Sequence, residues 1–578
     1  MNAVILLLAG AVILLIGYIT YGKWLAGKWG IDEKRRTPAH EMEDGRDYVP
    51  AKVPVLMGHH FSSIAGAGPI NGPVQAAVFG WVPVVLWILI GGIFFGAVHD
   101  FGALFASIRH KGQSIGEVIY DTMGINMKKL FIVFSYLTLI LVVAAFASIV
   151  ADTFAAEYDD TGAVDLAASA SKATTAMISV LFIAVAVAFG FLVHKRNVPL
   201  LISSVIGIVA IIFCMVVGIN WHPIYLDNAA WMIIVGIYIT VASVTPVWIL
   251  LQPRDYLTSF LLYFMMIASV VGIVGAHPSL EIPAFTGFAD TLMPTGSSIG
   301  YLFPALFVTI ACGAISGFHS LVGSGTTAKQ LDSERDARPI AFGGMLIECG
   351  LAIITLCAVG YIWTDYSSGN TVVPTEVFAT GISRMIGVIP GLENAENIAF
   401  SLLVLTVSAF CLTSLDTATR LARYMFQEFW LEKGETHETV SGYRRILTNP
   451  MVATLITVVL GIALGLTGYA RIWALFGAAN QLLAALGLMA VAVWLGKIGR
   501  RNTMFFIPMA FMLAVTITSL IFTFRTNLLG IMAGSDDMIW CVIRAVLAAL
   551  LIVLSVILAI NAVKTLKVQR REKLQSKT

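Results

Sequence analysis

The chain has 578 residues, of which 58% are hydrophobic and 12% are charged, and its formal net charge is +2. Soluble globular domains are about 45–50% apolar and about 25% charged, so this composition excludes a soluble globular protein. The net charge is small and no long basic tract is present, so no nucleic-acid partner is expected. The apolar excess fits many helices that each cross a lipid bilayer with about 20 residues.

Long apolar segments recur from one end of the chain to the other. They fall near residues 2–22, 59–80, 83–108, 130–151, 173–194, 198–218, 228–250, 256–276, 300–325, 340–363, 398–418, 449–468, 473–496, 503–524 and 540–563. The pattern predicts an all-α polytopic membrane protein with about fifteen membrane segments, built as one integral membrane domain over residues 1–578. Residues 503–578 are predicted to form accessory helices and a C-terminal tail.

The loops between these segments alternate in charge. Loops rich in Lys and Arg, including those around Arg109, Arg254 and Arg335, alternate with loops that are acidic or neutral. Because basic loops tend to stay in the cytoplasm, this alternation predicts an N-terminus outside the cell and a cytoplasmic C-terminus.

A short pattern, F-x-S-[I/L]-[A/V]-G-[A/S]-G, occurs twice, at residues 61–68 and 318–325. The first copy lies on the second segment and the other copy on the ninth, so an odd number of crossings separates them and they run in opposite directions. Transporters with inverted repeats place their substrate site where one helix of each repeat is broken. The pattern therefore predicts two broken helices in two inverted repeats. The alternative is chance similarity between membrane segments rich in Gly and Ser.

The glycines within the two copies predict unwound backbone, because glycine tolerates conformations that other residues avoid. Free N–H groups at the start of a half-helix attract anions, and a carboxylate is the expected guest. The alternative is close helix packing through small residues. The predicted substrate-binding residues are Ser62, Ser63, Gly66, Gly68, His319, Ser320, Gly323 and Gly325.

Ionisable side chains inside predicted membrane segments are costly and are therefore functional candidates. A histidine beside a carboxylate can carry a proton near neutral pH. The alternative is a histidine held by a hydrogen bond for packing. The predicted proton-coupling residues are His60, His99, Asp100 and Glu348, with His319 as a further candidate and His59 placed toward the cytoplasmic end.

No metal site and no cofactor is expected. No ligand spacing such as H-E-x-x-H is present. The six cysteines lie in apolar runs without a C-x-x-C pair, which is typical of packing residues.

Further polar side chains lie in apolar segments. Thr413 and Ser414 carry hydroxyls that either bind a cation or bond the preceding helical turn. Asp416 is placed to pair with Arg420 one turn later. The Asn-Gln pair at residues 480–481 predicts hydrogen bonds between helices.

Four runs of the sequence resemble the carbon starvation protein A (CstA) family. They are GHHFSSIAGAGPI at residues 58–70, GAVHDF at 96–101, SGFHSLVGSGTT at 316–327 and WALFGAANQ at 473–481. The resemblance implies a protein of the cytoplasmic (inner) membrane of a bacterium or archaeon that takes up peptides during carbon starvation. Some relatives in this family import pyruvate with protons.

The resemblance also implies a LeuT-like core of two inverted repeats with extra helices. In sodium-coupled relatives, the third helix of the second repeat supplies hydroxyls to a cation site, which points to Thr413 and Ser414. The expected ranges are 59–80 and 300–325 for the broken helices, 59–218 for the first repeat, 300–496 for the second repeat, and 228–250 and 256–276 for two extra spans between them.

These observations predict a secondary active importer, not an enzyme, for a small carboxylate-bearing solute. The solute is a short peptide or pyruvate, and the coupling ion is a proton or, alternatively, a sodium ion. Both solutes carry a carboxylate, so the motifs do not choose between them. An intramembrane metal-dependent enzyme built on the same histidines and a channel are the alternatives from other classes.

Overall fold

The computed structural model describes residues 1–45, 47–159, 161–196, 198–293, 298–369, 373–432, 435–534 and 537–575. Within these ranges the chain consists of helices and loops, with isolated β-bridges but no β-strand. The prediction of an all-α protein is confirmed.

The helices of the first part of the described chain are α1 (Ala3–Gly17), α2 (Lys23–Trp29), α3 (Pro38–Glu41), α4 (Val53–Ile64), α5 (Gly68–Ala76), α6 (Trp81–Gly91), α7 (Ala97–Arg109), α8 (Ile115–Met123), α9 (Ile125–Phe154), α10 (Leu166–Arg196), α11 (Leu200–Asn220), α12 (Asn228–Val244) and α13 (Leu251–Ala276). Two short π-helical turns make α1 and α2, and likewise α6 and α7, into continuous helical spans.

The helices of the second part are α14 (Leu302–Thr309), α15 (Gly317–Gly325), α16 (Gly344–Tyr361), α17 (Trp363–Ser367), α18 (Pro374–Gly387), α19 (Glu396–Trp430), α20 (Gly442–Leu447), α21 (Pro450–Gly465), α22 (Tyr469–Lys497), α23 (Phe506–Met532) and α24 (Met538–Gln575). A π-helical turn, Arg338–Gly343, leads into α16.

Eleven helical spans among the described residues are long and apolar enough to cross a membrane, and α12 and α21 are shorter apolar helices. The count of about fifteen segments stays a prediction, because it also requires the two interrupted helices, α4–α5 and α14–α15, to cross. The helices differ in their surroundings. The most apolar 18-residue stretch of α22 is 100% buried, whereas that of α11 is 33% buried. We therefore place α22 in the core and α11 at the lipid-facing periphery.

Two helices are interrupted, as the sequence predicts. The first break comprises residues 65–67, between α4 and α5, and the second comprises residues 310–316, between α14 and α15. Pro69 occupies the first turn of α5, where its missing N–H and fixed φ suit a helix start. Because α4 already begins at Val53, before the predicted residue 59, the first break lies near the middle of its helix.

The two copies of the repeated motif do not occupy equivalent positions. Residues 61–68 span the end of α4 and the first break, whereas residues 318–325 lie entirely within α15, after the second break. The prediction that Gly323 and Gly325 unwind is therefore wrong. The small size of Gly325 serves packing against Leu421, whereas a Cβ on Gly323 would lie at an ordinary contact distance of 3.8 Å from the Leu104 Cβ.

Loops that are predicted to share one side of the membrane lie together. Arg109 and Glu334, from two predicted cytoplasmic loops, form an ion pair with Nε and Oε1 2.6 Å apart, and Arg109 also donates to the Gly30 carbonyl (3.1 Å). At the other end of the α1–α2 span, Asn2 donates to the His277 carbonyl (3.2 Å) in a predicted external loop. The orientation of these two ends relative to the cell stays a prediction.

Labelling of introduced cysteines tests that orientation. Ser368 and Arg335 are exposed and lie in loops predicted to be external and cytoplasmic, respectively, while all six native cysteines are buried. We expect a membrane-impermeant maleimide to label Ser368→Cys in intact cells and Arg335→Cys only after permeabilisation. The reverse pattern would invert the predicted orientation.

Candidate functional site

The first break exposes backbone donors inside the protein. Gly66 and Ala67 are buried, and within the described residues neither N–H group donates a hydrogen bond. The Ser63 carbonyl just before the break accepts from Ser414 Oγ of α19 (3.1 Å). A Cβ on Gly66 would lie 2.7 Å from Phe146 Cζ and 3.1 Å from Ser414 Oγ, so only glycine fits here. The break therefore offers two N–H groups at the start of a half-helix to an anionic ligand.

The second break is closed by side chains of α22. Asn480 Oδ1 accepts from the Phe318 N–H (2.8 Å) at the start of α15, and Gln481 Nε2 donates to the Ile310 carbonyl (3.2 Å) after α14. Backbone groups at membrane depth require such partners, because lipid supplies none. The predicted interhelical role of the Asn-Gln pair is confirmed.

Four buried side chains from three helices form what we call the histidine–carboxylate cluster: His99 and Asp100 of α7, His319 of α15 and Glu348 of α16. The Nδ1 atoms of His99 and His319 each lie 2.8 Å from one oxygen of Asp100. His319 Nε2 lies 3.5 Å from Glu348 Oε2. The sequence predicts each of the four residues separately as a candidate for proton coupling. The fold brings them together as one connected series of titratable side chains.

Cys312, in the second break, lies beside this cluster. Its Sγ, one ring nitrogen of His319 and one carboxylate oxygen of Glu348 all lie within 4.8 Å of one another. Within the described residues, His319 Nε2 and both Glu348 oxygens have no hydrogen-bond partner. Cys312 is buried and free, as expected of a packing residue, and its polar neighbours His319 and Glu348 lie on other segments and so leave no spacing signal in the sequence.

The remaining predicted substrate and proton residues bond elsewhere. His60 Nδ1 lies 2.8 Å from Thr327 Oγ1, without a hydrogen bond to the cluster. Ser320 Oγ donates to the Gly317 carbonyl of its own helix (2.7 Å). Ser62 Oγ donates to the Asp255 carbonyl of α13 (3.2 Å), so it holds α4 to α13.

A second buried network, which we call the α13 network, was not predicted from the sequence. His59 Nδ1 lies 2.7 Å from Asp255 Oδ2, and Ser63 Oγ donates to the same oxygen (3.4 Å). Next to it, Arg254 donates to Asp416 Oδ2, and Arg254 is only 1% exposed. His59 is thus buried rather than facing the cytoplasm.

Two predictions about this network are wrong. Arg254 does not lie in a cytoplasmic loop, because it is part of α13, which begins at Leu251. Asp416 does not pair with Arg420; it accepts from Arg254 and from the Tyr238 hydroxyl (2.7 Å). Arg420 instead donates to backbone carbonyls next to α12. A hydropathy profile treats each charged residue by its type alone and contains no information about a partner far away in the sequence. The Arg254–Asp416 pair therefore left no signal in the sequence.

The two hydroxyls of α19 differ in their contacts. Ser414 lies at the first break, whereas Thr413 Oγ1 donates to the Ala409 carbonyl of the preceding turn (3.2 Å). A cation site at these hydroxyls stays a prediction.

A family model and the curated relatives agree on one family. A family model described as carbon starvation protein CstA matches residues 2–372 and 364–519. The peptide transporter CstA of Bacillus subtilis is 33% identical, over 98% of this chain and 97% of that protein. The pyruvate/proton symporter BtsT of Escherichia coli is 32% identical, over 86% of this chain and 78% of that protein. Among solved structures, a mutant of a manganese transporter from Eremococcus coleocola aligns with a TM-score of 0.47 and 11% identity, over 91% of this chain and 99% of that chain.

The buried ion pair of the α13 network is expected to be far more important for stability than an exposed one. Asp416→Asn removes the charge of the carboxylate to which Arg254 donates and leaves the buried guanidinium with only the more distant Asp255 Oδ1 (3.6 Å), which is expected to cost up to about 3–5 kcal/mol of unfolding free energy. Asp365→Asn is the matched control, because the Arg384–Asp365 pair (2.5 Å) is 45% and 33% exposed and such pairs contribute about 0–1 kcal/mol. Denaturation of both variants in detergent measures the difference, and equal losses would contradict the assigned pairing.

Proposed function

The chain belongs to the carbon starvation protein CstA family, and we propose that this membrane transporter is a secondary active importer of a small carboxylate-bearing solute driven by protons. The solute is a short peptide or pyruvate, the two classes named in its relatives. The protein acts in the cytoplasmic membrane, with its N-terminus outside, and its uptake serves the carbon-starvation response that gives the family its name.

The free N–H groups of the first break are the observation that carries this proposal. Gly66 and Ala67 present them in a buried position, at the positive end of α5, where a carboxylate replaces the missing hydrogen-bond partners. Gly68 starts α5 and lies against Cys312, since a Cβ there would lie 2.5 Å from Cys312 Sγ. The first break therefore adjoins the histidine–carboxylate cluster.

The histidine–carboxylate cluster handles the coupling proton. Asp100 holds His99 and His319 by one oxygen each, and His319 faces Glu348. A proton gained or lost at Glu348 changes the charge between α15 and α16, which alters how strongly the two helices attract each other. Sodium coupling through Thr413 and Ser414 is the second candidate, favoured by the position of Ser414 at the first break.

Hydrogen bonds between long helices support a two-repeat core. Thr153 of α9 and Ser408 of α19 lie 2.9 Å apart, and Ser243 of α12 and Thr454 of α21 lie 3.2 Å apart. Helices α13 and α22 hold corresponding places, because each bonds to the interrupted helix of its own half. These three pairs support α9, α12 and α13 as the proposed counterparts of α19, α21 and α22.

The ranges 59–218 and 300–496 for the two repeats, and 228–250 and 256–276 for the extra spans, stay predictions. The contacts above favour a first repeat made of α4–α5, α6–α7, α9, α12 and α13, with the less buried hairpin α10–α11 as an insertion within it. Residues 503–578, which include α23 and α24, remain the proposed C-terminal accessory region.

Uptake into proteoliposomes tests the function. With an inward proton gradient and no sodium, we expect labelled pyruvate or a labelled dipeptide to accumulate above its external concentration, and a protonophore to abolish the accumulation. Asp100→Asn is the matched variant: it should keep the exchange of internal for external solute but lose proton-driven accumulation. Accumulation that requires sodium would move the coupling site to Thr413 and Ser414, and no accumulation under either gradient would overturn the proposal.

The two glycines of the repeated motif are expected to respond differently to alanine. Gly66→Ala forces a methyl group against Phe146 and Ser414 and should reduce uptake at least about tenfold, which corresponds to about 1.4 kcal/mol. Gly323→Ala places its methyl group at ordinary contact distance from Leu104 and should retain uptake within about twofold, because alanine favours the helix. Uptake per reconstituted protein measures both. Similar uptake by the two variants would count against substrate binding at the first break.

A further inference from the structure

We propose that Cys312, His319 and Glu348 form a binding site for one divalent transition-metal ion of the zinc type. The three residues come from the second break, α15 and α16, and all three are buried. The three supply a thiolate, an imidazole and a carboxylate, which are the ligand types that zinc takes in proteins.

The distances suit a tetrahedral ion. Zinc–ligand distances of about 2.0–2.3 Å place neighbouring ligand atoms of a tetrahedron about 3.3–3.8 Å apart. His319 Nε2 and Glu348 Oε2 are 3.5 Å apart, and the ligand atoms of the three residues all lie within 4.8 Å of one another.

Among the described residues, the imidazole nitrogen and the carboxylate at this point lack other partners, whereas Cys312 Sγ also lies 3.6 Å from Ser316 Oγ and 3.9 Å from Asn480 Nδ2. His319 Nε2 and both oxygens of Glu348 make no hydrogen bond within the described residues, although both side chains are at most 1% exposed. A buried carboxylate without partners is costly. One divalent cation satisfies the imidazole nitrogen and the carboxylate together, whereas one proton shared between His319 Nε2 and Glu348 Oε2 leaves Glu348 Oε1 without a partner.

Asp100 supplies the outer contact that metal-binding histidines usually have. Its Oδ2 lies 2.8 Å from His319 Nδ1, which fixes the ring so that Nε2 points toward Glu348 and Cys312. A carboxylate behind the imidazole orients the ring and raises its basicity toward a metal. The thiolate disfavours Mg²⁺ and Ca²⁺, because these ions prefer oxygen ligands. The three protein ligands fill three positions of a tetrahedral ion and leave the fourth open.

The inference concerns the same cluster as the proposed proton coupling, and its effect on transport rests on that proposal. Binding requires Cys312 and Glu348 to be deprotonated, so the thiol releases its proton as the sulfur–metal bond forms. Metal and coupling protons therefore exclude each other at this cluster. We expect zinc to inhibit proton-driven uptake.

Cobalt binding to the purified full-length chain in detergent tests the site directly. Titration with Co²⁺ should produce a thiolate-to-cobalt charge-transfer band in the near ultraviolet that saturates at about one ion per chain, the stoichiometry of a single three-ligand site. Cys312→Ser should abolish this band. Cys349→Ser is the matched control, because this buried thiol of α16 lies against Gly92 and should leave the band unchanged.

A second variant keeps the test decisive if Cys312→Ser does not fold. Asp100→Asn should weaken cobalt affinity about 10–100-fold, as loss of an outer contact does at metal sites. Wild-type protein that shows no thiolate band, a band that survives in Cys312→Ser, or a band lost in Cys349→Ser would each overturn the site.

Uptake measured in chelator-treated buffer separates this inference from the proposed function. A chain that accumulates solute but binds no cobalt overturns the metal site alone. A chain that binds cobalt through Cys312 but accumulates no solute overturns the proposed function alone.

Discussion

A helix that breaks inside a membrane leaves backbone groups that lipid cannot satisfy, and this constraint shapes the centre of the molecule. At the second break, α22 supplies an amide to each side: Asn480 to the Phe318 N–H and Gln481 to the Ile310 carbonyl. At the first break, Ser414 bonds the carbonyl side, while the N–H groups that follow have no partner among the described residues. The two breaks are therefore unequal: the protein closes one and leaves donors available at the other.

The buried charges join the interrupted helices to their surroundings. Asp100 and Glu348 lie on either side of His319 in α15, and Asp255 bonds His59 in α4. Isolated buried charges are expensive, so each cluster persists only while its partners stay together. Separation of α4 from α13, or of α15 from α16, would therefore leave buried charges without their partners.

The sequence was sufficient for features that depend on local composition. Apolar runs located the long helices, and the glycines and Pro69 located the first break. Features that depend on distant contacts were not accessible. Arg254 looked like a loop residue because its partner, Asp416, lies far along the chain. Cys312 looked like a packing residue because its neighbours lie on other segments.

The second copy of the repeated motif, at residues 318–325, led to a wrong prediction of unwound backbone. Small residues serve two opposite purposes in membrane helices: they permit unwinding, and they permit close packing. At Gly66 the chain unwinds, with Pro69 starting the next helix. At Gly325 the helix is intact up to that residue and Leu421 occupies the space that a side chain would fill.

What separates the two cases is the partner for the backbone groups. Helices break where another helix offers polar side chains to the loose ends, as α22 does for residues 310–316, so a break is a property of the pair of helices rather than of the glycine motif alone.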